Sequence, residues 1–284
     1  MHRIKLVILV LFFITQAGAW QNPETPVDER VEELLARMTL EQKVGEMCQY
    51  ARDEVYENLD VDDFIHLIEQ GHVGSFLTIT DPEITTCLQR AAVHSQLGIP
   101  LLFATDAIHG VGMHPGTTGY RTALTLASSW DENLVQRIAY ETAEEMHVIG
   151  LHWTFSPNVE LSRDPRWGRT GETFGEDPLL VSRMGRAMTV GYENNNVISC
   201  AKHFAGGGEP LNGVNFPPMS VSVSDLYELW LPPFKAAVDA GARSFMAAHH
   251  EVNGVPCHSN AMLLNRILRD EWDFEGFVVS DWPM

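Results

Sequence analysis

The sequence predicts an α/β fold in the form of a (β/α)8 barrel, and three observations point to it. Short, nearly continuous apolar runs alternate with longer amphipathic stretches, the pattern of a parallel sheet covered by helices. No internal repeat or low-complexity segment interrupts that alternation. Five of the six apolar runs end in side chains able to do chemistry: Asp106, Asn158, Lys202-His203, His249-His250 and Asp281 in turn. A barrel gathers the C-terminal ends of its strands around one mouth, where active sites are built. An open doubly wound sheet binds ligand only at its switch point, so five chemically equipped strand ends favour the barrel.

The strands are read at 73–79, 100–105, 151–155, 197–201, 243–248 and 276–280, with one more expected near the start. Helices are expected between them. Residues 29–50 repeat Val31, Leu34, Leu35 and Met38 at helical spacing, and 131–148 repeat Leu134, Ile138 and Met146 less regularly. Residues 177–193, 224–239 and 260–272 are the other candidates. Ser222 or Ser224 supplies an N-cap for the helix at 224–239, and Pro232-Pro233 marks a break or kink inside it. Asn194-Asn195-Asn196 reads as a helix-terminating turn.

Composition narrows the partners. The 38 acidic and 19 basic residues give a formal charge of −19. Nucleic acid and anionic membrane surfaces would repel such a chain, so its partner is expected to be neutral or small. The first residues carry His2, Arg3 and Lys5, then an apolar run over 6–14, then Ala17-Gly18-Ala19 before Trp20. A charged start, a short apolar core and an A-x-A end describe a secretory signal peptide over 1–19, followed by a mature barrel over 20–284. The run is well short of the roughly 18 residues that a membrane span requires, and no other segment is apolar enough to anchor the chain. Export to a periplasmic or extracellular space is expected. That context permits one or two disulfides among Cys48, Cys87, Cys200 and Cys257, whose spacing assigns no pairing.

Asp281 stands at the end of the last apolar run and is followed by Trp282. A carboxylate there either caps the next helix or serves as a nucleophile toward an anomeric carbon, beside an indole able to stack on a sugar face. Lys202-His203 precede a glycine loop, Gly206-Gly207-Gly208. No GxxxxGK[ST] follows it, and Glu209-Pro210 stand where helix N–H donors would be needed for phosphate, so the pair suits the hydroxyls of a neutral polyol. Residues 158–178 are polar and dense in charge, with Arg163, Arg166 and Arg169 among Asp164, Glu172, Glu176 and Asp177. They read as a long ordered loop over the mouth, held by ion pairs. His249-His250 suggest a metal, but adjacent side chains at a strand end point opposite ways and no HxH or HExxH is present, so no metal is expected.

The segments FATDAIHG (103–110), SRDPRWGRTGETFGEDP (162–178), KHFAGGGEP (202–210), NGVPCHSN (253–260) and GFVVSDW (276–282) resemble glycoside hydrolase family 3, in its β-glucosidase and exo-β-glucanase branch. They stand in the family's order and span nearly the whole mature chain. The resemblance implies an N-terminal barrel joined to a following α/β sandwich domain, with no cofactor. It implies that Asp281 is the nucleophile of a retaining hydrolysis through a covalent glycosyl intermediate. Asp106, Arg169, Lys202 and His203 match positions that hold sugar hydroxyls, Arg169 rather than Arg166 by the match to GR-x-x-E. Trp282 would form one side of an aromatic clamp. The implied substrate is a β-linked glucoside or oligosaccharide.

Three departures bear on that reading. His249 stands where many members carry a tyrosine that contacts the nucleophile, and an imidazole would titrate near neutrality. Val214 stands where many carry an arginine that touches the sugar. The retaining mechanism requires a second carboxyl about 5–5.5 Å from the nucleophile. In the resembled branch that acid comes from the second domain. The branch that instead uses a histidine has KHFPGHG where this chain has KHFAGGG. The expectation is therefore a barrel lacking its last strand–helix unit, its second domain and its acid/base residue, which as given folds poorly or belongs to a longer protein. A β-xylosidase, a catalytically silent sugar-binding barrel and, last, a metal-dependent barrel hydrolase are the alternatives.

Overall fold

The computed structural model describes residues 19–51, 60–112, 114–209, 211–216 and 218–282. The signal peptide read at 1–19 lies, but for Ala19, outside the described residues. Helix α1 (Val27–Arg37) ends at Met38, whose backbone is extended, and α2 (Leu40–Glu46) restarts at once. The Thr39 side chain accepts from Gln42 N and the Gln42 side chain accepts from Thr39 N, a capping box that starts a new helix. The single helix expected at 29–50 is thus two helices and a strand, β1 (Gln49–Ala51), which is the further strand anticipated near the start. The apolar stripe of α1 does not enter the core, for Val31 and Leu35 are 44% and 42% exposed. The helix precedes the first strand and is tied to the short turn Ala19–Gln21, where Arg30 Nε donates to Trp20 O at 2.7 Å.

The alternation then runs as the apolar pattern dictates. It comprises α3 (Val61–Glu69), β2 (Ser75–Leu77), α4 (Pro82–His94), β3 (Leu102–Thr105), α5 (Ala123–Ala127), α6 (Glu132–Val148) and β4 (Trp153–Thr154). Next come α7 (Pro178–Glu193), β5 (Cys200–Phe204), α8 (Val223–Asp225), α9 (Pro232–Asp239), β6 (Ser244–Ala247), the hairpin β7 (Glu251–Val252) and β8 (Val255–Pro256), and β9 (Phe277–Ser280). Asp60, Asp81, Asp131 and Asp177 cap α3, α4, α6 and α7 by accepting first-turn N–H groups. After α7 the three asparagines form the expected turn, with Asn196 left-handed at φ 57°.

Two helices depart from the regular form expected of them. Ser222 caps the one expected at 224–239, but Leu226–Trp230 is π-helical, directly before Pro232, which has no N–H to give the preceding turn. The stretch at 260–272 is a π-helix over Met262–Glu271. Strand β5 also runs beyond the expected 201. Lys202 and His203 therefore lie inside a fully buried strand rather than after it, past an irregularity in the pairing with β6 between Ala201 and Phe204.

All main strands are parallel. Four pair in the order β1-β2-β3-β4 and three in the order β5-β6-β9, and bridges at Trp153–Ile198 and Asn158–Lys202 join the two sets. Strand period two then sorts the residues. Phe76, Phe103, Ala201 and Phe245 face the helices in the main core. Leu77, Ala104, Trp153, Cys200 and Met246 form a separate inner cluster with Phe155. Trp153 on β4 meets Phe277 on β9 at a ring distance of 5.0 Å, and its Nε1 donates to Ser244 Oγ on β6 at 2.8 Å. Strands that are not neighbours touch across that interior, so the sheet is rolled. Seven parallel strands of the barrel are present among the described residues. Among the described residues β1 and β9 pair on one side only, and closure between them is not seen.

The four cysteines are free thiols, two of them buried, so the permitted disulfides are not formed. Among the described residues no helix is long and apolar enough to cross a membrane. Glu46 lies at the foot of β1 on the wall of the barrel interior, and burial pushes its carboxyl from 4.5 up to about 7. An acid held this way binds its proton more tightly folded than unfolded, so it costs stability as pH rises from about 4.5 toward 7. Glu46→Gln is expected to raise stability at about pH 8 by on the order of 1 kcal/mol, allowing for its partial exposure, and to leave it unchanged at about pH 4. Urea midpoints at the two pH values check this.

Candidate active site

The inner row of side chains continues upward into the site. Two residues beyond Ala104 on β3 is Asp106, two beyond Cys200 on β5 is Lys202, and two beyond Val279 on β9 is Asp281. Strand periodicity alone therefore aims these three groups at the same mouth. Lys202 Nζ donates to Asp106 Oδ1 at 2.5 Å, its side chain only 5% exposed while that of Asp106 is 44% exposed. The buried lysine head is thus tied to a carboxylate that still faces the mouth.

His203, adjacent to Lys202, also lines the site. Its Nδ1 is 2.7 Å from Glu160 Oε2, and its Nε2 is 3.8 Å from Asp281 Oδ2. Burial, then the neighbouring Lys202 and Arg169 cations, holds the imidazole well below its ordinary 6.5, so it is neutral. Burial pushes the Glu160 carboxyl up to about 7. Arg169 reaches the same place from the loop after β4. Its Nη2 is 3.5 Å from His203 Nε2, and it grips Glu172 with two bonds of 3.0 and 2.7 Å. Burial works against the Arg169 charge, but Glu172 holds the guanidinium above its ordinary range and is itself held low in return. Arg166, by contrast, is exposed and pairs with Asp164 at 2.6 Å, and Arg163 pairs with Glu209 at 3.1 Å. Of the three loop arginines only Arg169 enters the site.

Asp281 is held by its backbone and left open at its carboxylate. Its N–H donates to His258 Nε2 at 3.3 Å, and its Oδ1 accepts from Trp282 N–H at 2.7 Å. Its Oδ2 is buried with no hydrogen-bond partner. His249 Nε2 lies 3.7 Å from Asp281 Oδ1, also without a partner, while the ring packs edge-on against Phe216 at 4.8 Å. His250 turns the other way, to Ala205 O at 3.1 Å, so the two histidines do diverge. Trp282 is half exposed at the rim. Val214 is 59% exposed.

Asp106, Arg169, Lys202, His203, Asp281 and Trp282 line one cavity of about 900 Å³ that continues down past Trp153 and Met246 to Glu46 and Gln49. The structure thus gathers every expected site residue, with His249 beside Asp281. Sequence reasoning did not find Glu160, His258 or Phe216. Only Glu160 left a signal, as a lone carboxylate between Val159 and Leu161, which are fully buried.

A site of this form can hold a neutral, hydroxyl-rich ligand against an unpaired carboxylate oxygen. The model of the glycosyl hydrolase family 3 N-terminal domain matches residues 39–284. A β-xylosidase of Formosa agariphila is 35% identical over 97% of this chain and 35% of its own length. A periplasmic β-glucosidase of Salmonella typhimurium is 36% identical over 92% of this chain and 34% of its own. The structure of a mutant β-glucosidase from Listeria innocua with laminaribiose superposes with a TM-score of 0.81 at 34% identity, over 89% of this chain and 37% of that one. An exo-1,3/1,4-β-glucanase from Pseudoalteromonas gives 0.82 at 32% identity, over 90% and 34%. The chain spans about a third of the length of these relatives. With the matched domain covering most of its residues and the rolled parallel sheet in place, the chain belongs to glycosyl hydrolase family 3.

Proposed function

We propose that the chain carries the nucleophile and the innermost sugar site of a retaining β-glycosidase that releases terminal non-reducing β-D-glucosyl residues from β-glucosides or β-glucans. The observation that carries this reading is the unpaired Asp281 Oδ2 in a mouth lined by Asp106, Arg169, Lys202 and His203. Lys202 and Arg169 donate to sugar hydroxyls, while Asp106 and His203 accept from them. Trp282 at the rim offers an aromatic face to the next sugar or aglycone. In the first step Asp281 Oδ2 bonds to the anomeric carbon as the bond to the aglycone oxygen breaks, and that oxygen leaves with a proton. In the second, water attacks the anomeric carbon and gives its proton to the group that protonated the leaving oxygen, the Asp281–glucosyl bond breaks, and the sugar departs with its original β configuration.

The other carboxylates of the mouth are committed: Asp106 to Lys202, Glu160 to His203 and Glu172 to Arg169. We assign the acid that protonates the leaving group to a residue outside this chain's described residues. The leader at 1–19 directs export, in keeping with the periplasmic relative. A β-xyloside is the second reading, favoured by the Formosa relative.

The test is hydrolysis of 2,4-dinitrophenyl β-D-glucoside and β-D-xyloside, whose leaving group needs little acid assistance, followed by proton NMR. The β-anomer of the sugar appears first if the reading holds, with the glucoside preferred. Initial release of the α-anomer rules out a retaining mechanism.

A further inference from the structure

Glu160 is the buried group that the proposed mechanism leaves unused. Its side chain is 2% exposed, it sits between two core residues, and no binding or catalytic step has been given to it. Burying a carboxylate is costly unless it is paired, so the group it bonds most closely is informative. That partner is His203 Nδ1, at 2.7 Å. The opposite nitrogen, Nε2, is the one that faces Arg169 and Asp281. The residue is fixed at its backbone and at its carboxylate. Asn158 Oδ1 accepts from Glu160 N–H at 3.0 Å. The glycine loop closes over it so tightly that a Cβ on Gly207 would lie 1.8 Å from Glu160 Oε1.

We propose that Glu160 is a positioning residue that keeps the proton of His203 on Nδ1, so that Nε2 faces the site as an acceptor for a sugar hydroxyl. The role rests on the glycosidase reading above. Which ring nitrogen of a neutral histidine carries the proton is set by the bond the other nitrogen makes. A carboxylate at Nδ1 fixes the proton there. A hydroxyl needs one donor and one acceptor; Lys202 and Arg169 can only donate, and Asp106, the other acceptor, already shares its carboxylate with Lys202. An Nε2 lone pair completes the set, whereas an Nε2–H would add a third donor to the cluster.

The arrangement predicts a pH response. Arg169, His250 and Glu172 face Glu160, and Lys202, Arg169, Asp281 and Glu172 face His203. Burial raises the Glu160 carboxyl to about 7, and the imidazole is held far below that. The proton that arrives as pH falls through about 7 therefore neutralises Glu160. The new O–H donates to Nδ1, and the single ring proton moves to Nε2. The acceptor is lost with no change in the charge of His203.

The experiment uses the chain labelled with ¹⁵N-histidine, with His203 assigned by its absence in His203→Asn, and compares the wild type with Glu160→Gln. Long-range nitrogen–proton spectra report the tautomer without ligand. The half-saturation constant for labelling by a 2-fluoro-β-glucoside reports sugar binding. The wild type is expected to carry the proton on Nδ1 at about pH 8 and on Nε2 at about pH 6, with the half-saturation constant rising about tenfold, the loss of one hydrogen bond. In Glu160→Gln, which keeps the shape but does not titrate, both readouts are expected to be flat over that range. An Nε2 proton in the wild type at about pH 8 overturns the proposal. So does a Glu160→Gln variant that titrates as the wild type does, or a tautomer change with no change in half-saturation. If the wild type shows no labelling at all, the glycosidase reading fails instead, and the spectra still decide whether Glu160 sets the tautomer.

Discussion

Asp281→Ala is expected to lower hydrolysis of 2,4-dinitrophenyl β-D-glucoside by on the order of 10⁴-fold, because no covalent intermediate can form without the carboxylate. The effect should be chemical rather than structural. Asp281 Oδ2 has no hydrogen-bond partner and Oδ1 accepts only from the next residue's N–H, so truncation removes little of the fold's bonding. Stability is expected to stay within about 1 kcal/mol of the wild type, and the aromatic circular dichroism to be unchanged. Added azide, small enough to enter the space left by the carboxylate, should restore part of the rate and give the α-glucosyl azide. Residual activity above about a tenth of the wild type, without azide, would remove Asp281 from the nucleophile's role.

Trp153→Ala is expected to have the largest effect on stability, about 3–5 kcal/mol. The indole is 2% exposed at the centre of the barrel interior. Its ring meets Phe155 at 4.7 Å and Phe277 at 5.0 Å, and its Nε1 donates to Ser244 Oγ, which itself donates to Ser199 O at 2.8 Å. Removing it enlarges the cavity below Asp281 and detaches β4 from β6 and β9. Trp153→Phe keeps most of the apolar contact and loses the hydrogen bond, so about 1 kcal/mol is expected there. Urea titrations of both variants give the comparison. A cost below about 1 kcal/mol for the alanine variant would mean that the sheet does not roll around this side chain.

The strands of this fold were legible because a parallel strand is buried on both faces and so writes an uninterrupted apolar run, as at Ser75–Leu77 and Ser244–Ala247. The mouth was legible for a related reason, since residues that follow such runs must be either loop or site. What failed was boundary and partner. Strand β1 is only Gln49–Ala51, too short and too polar at its start to stand out from the helical pattern before it, and the Thr39 capping box outweighed the periodicity of Val31 to Met38. An apolar run alone places Lys202 and His203 beyond their strand, because charged groups rarely sit inside one. Here Asp106 and Glu160 pair with them and make burial tolerable. Glu160 and His258 act through pairings 43 and 23 residues away along the chain, which no local pattern records.

Everything proposed for the mouth depends on attack by Asp281 on an anomeric carbon. The direct measurement is mass spectrometry of the folded protein after incubation with 2,4-dinitrophenyl 2-deoxy-2-fluoro-β-D-glucoside, followed by peptide mapping. The fluorine slows turnover of the intermediate, and the leaving group needs little acid assistance. A single 2-fluoroglucosyl adduct on the peptide holding Asp281, absent from Asp281→Ala, is the expected result. Folded protein that acquires no adduct, or acquires it on another carboxylate, contradicts the account.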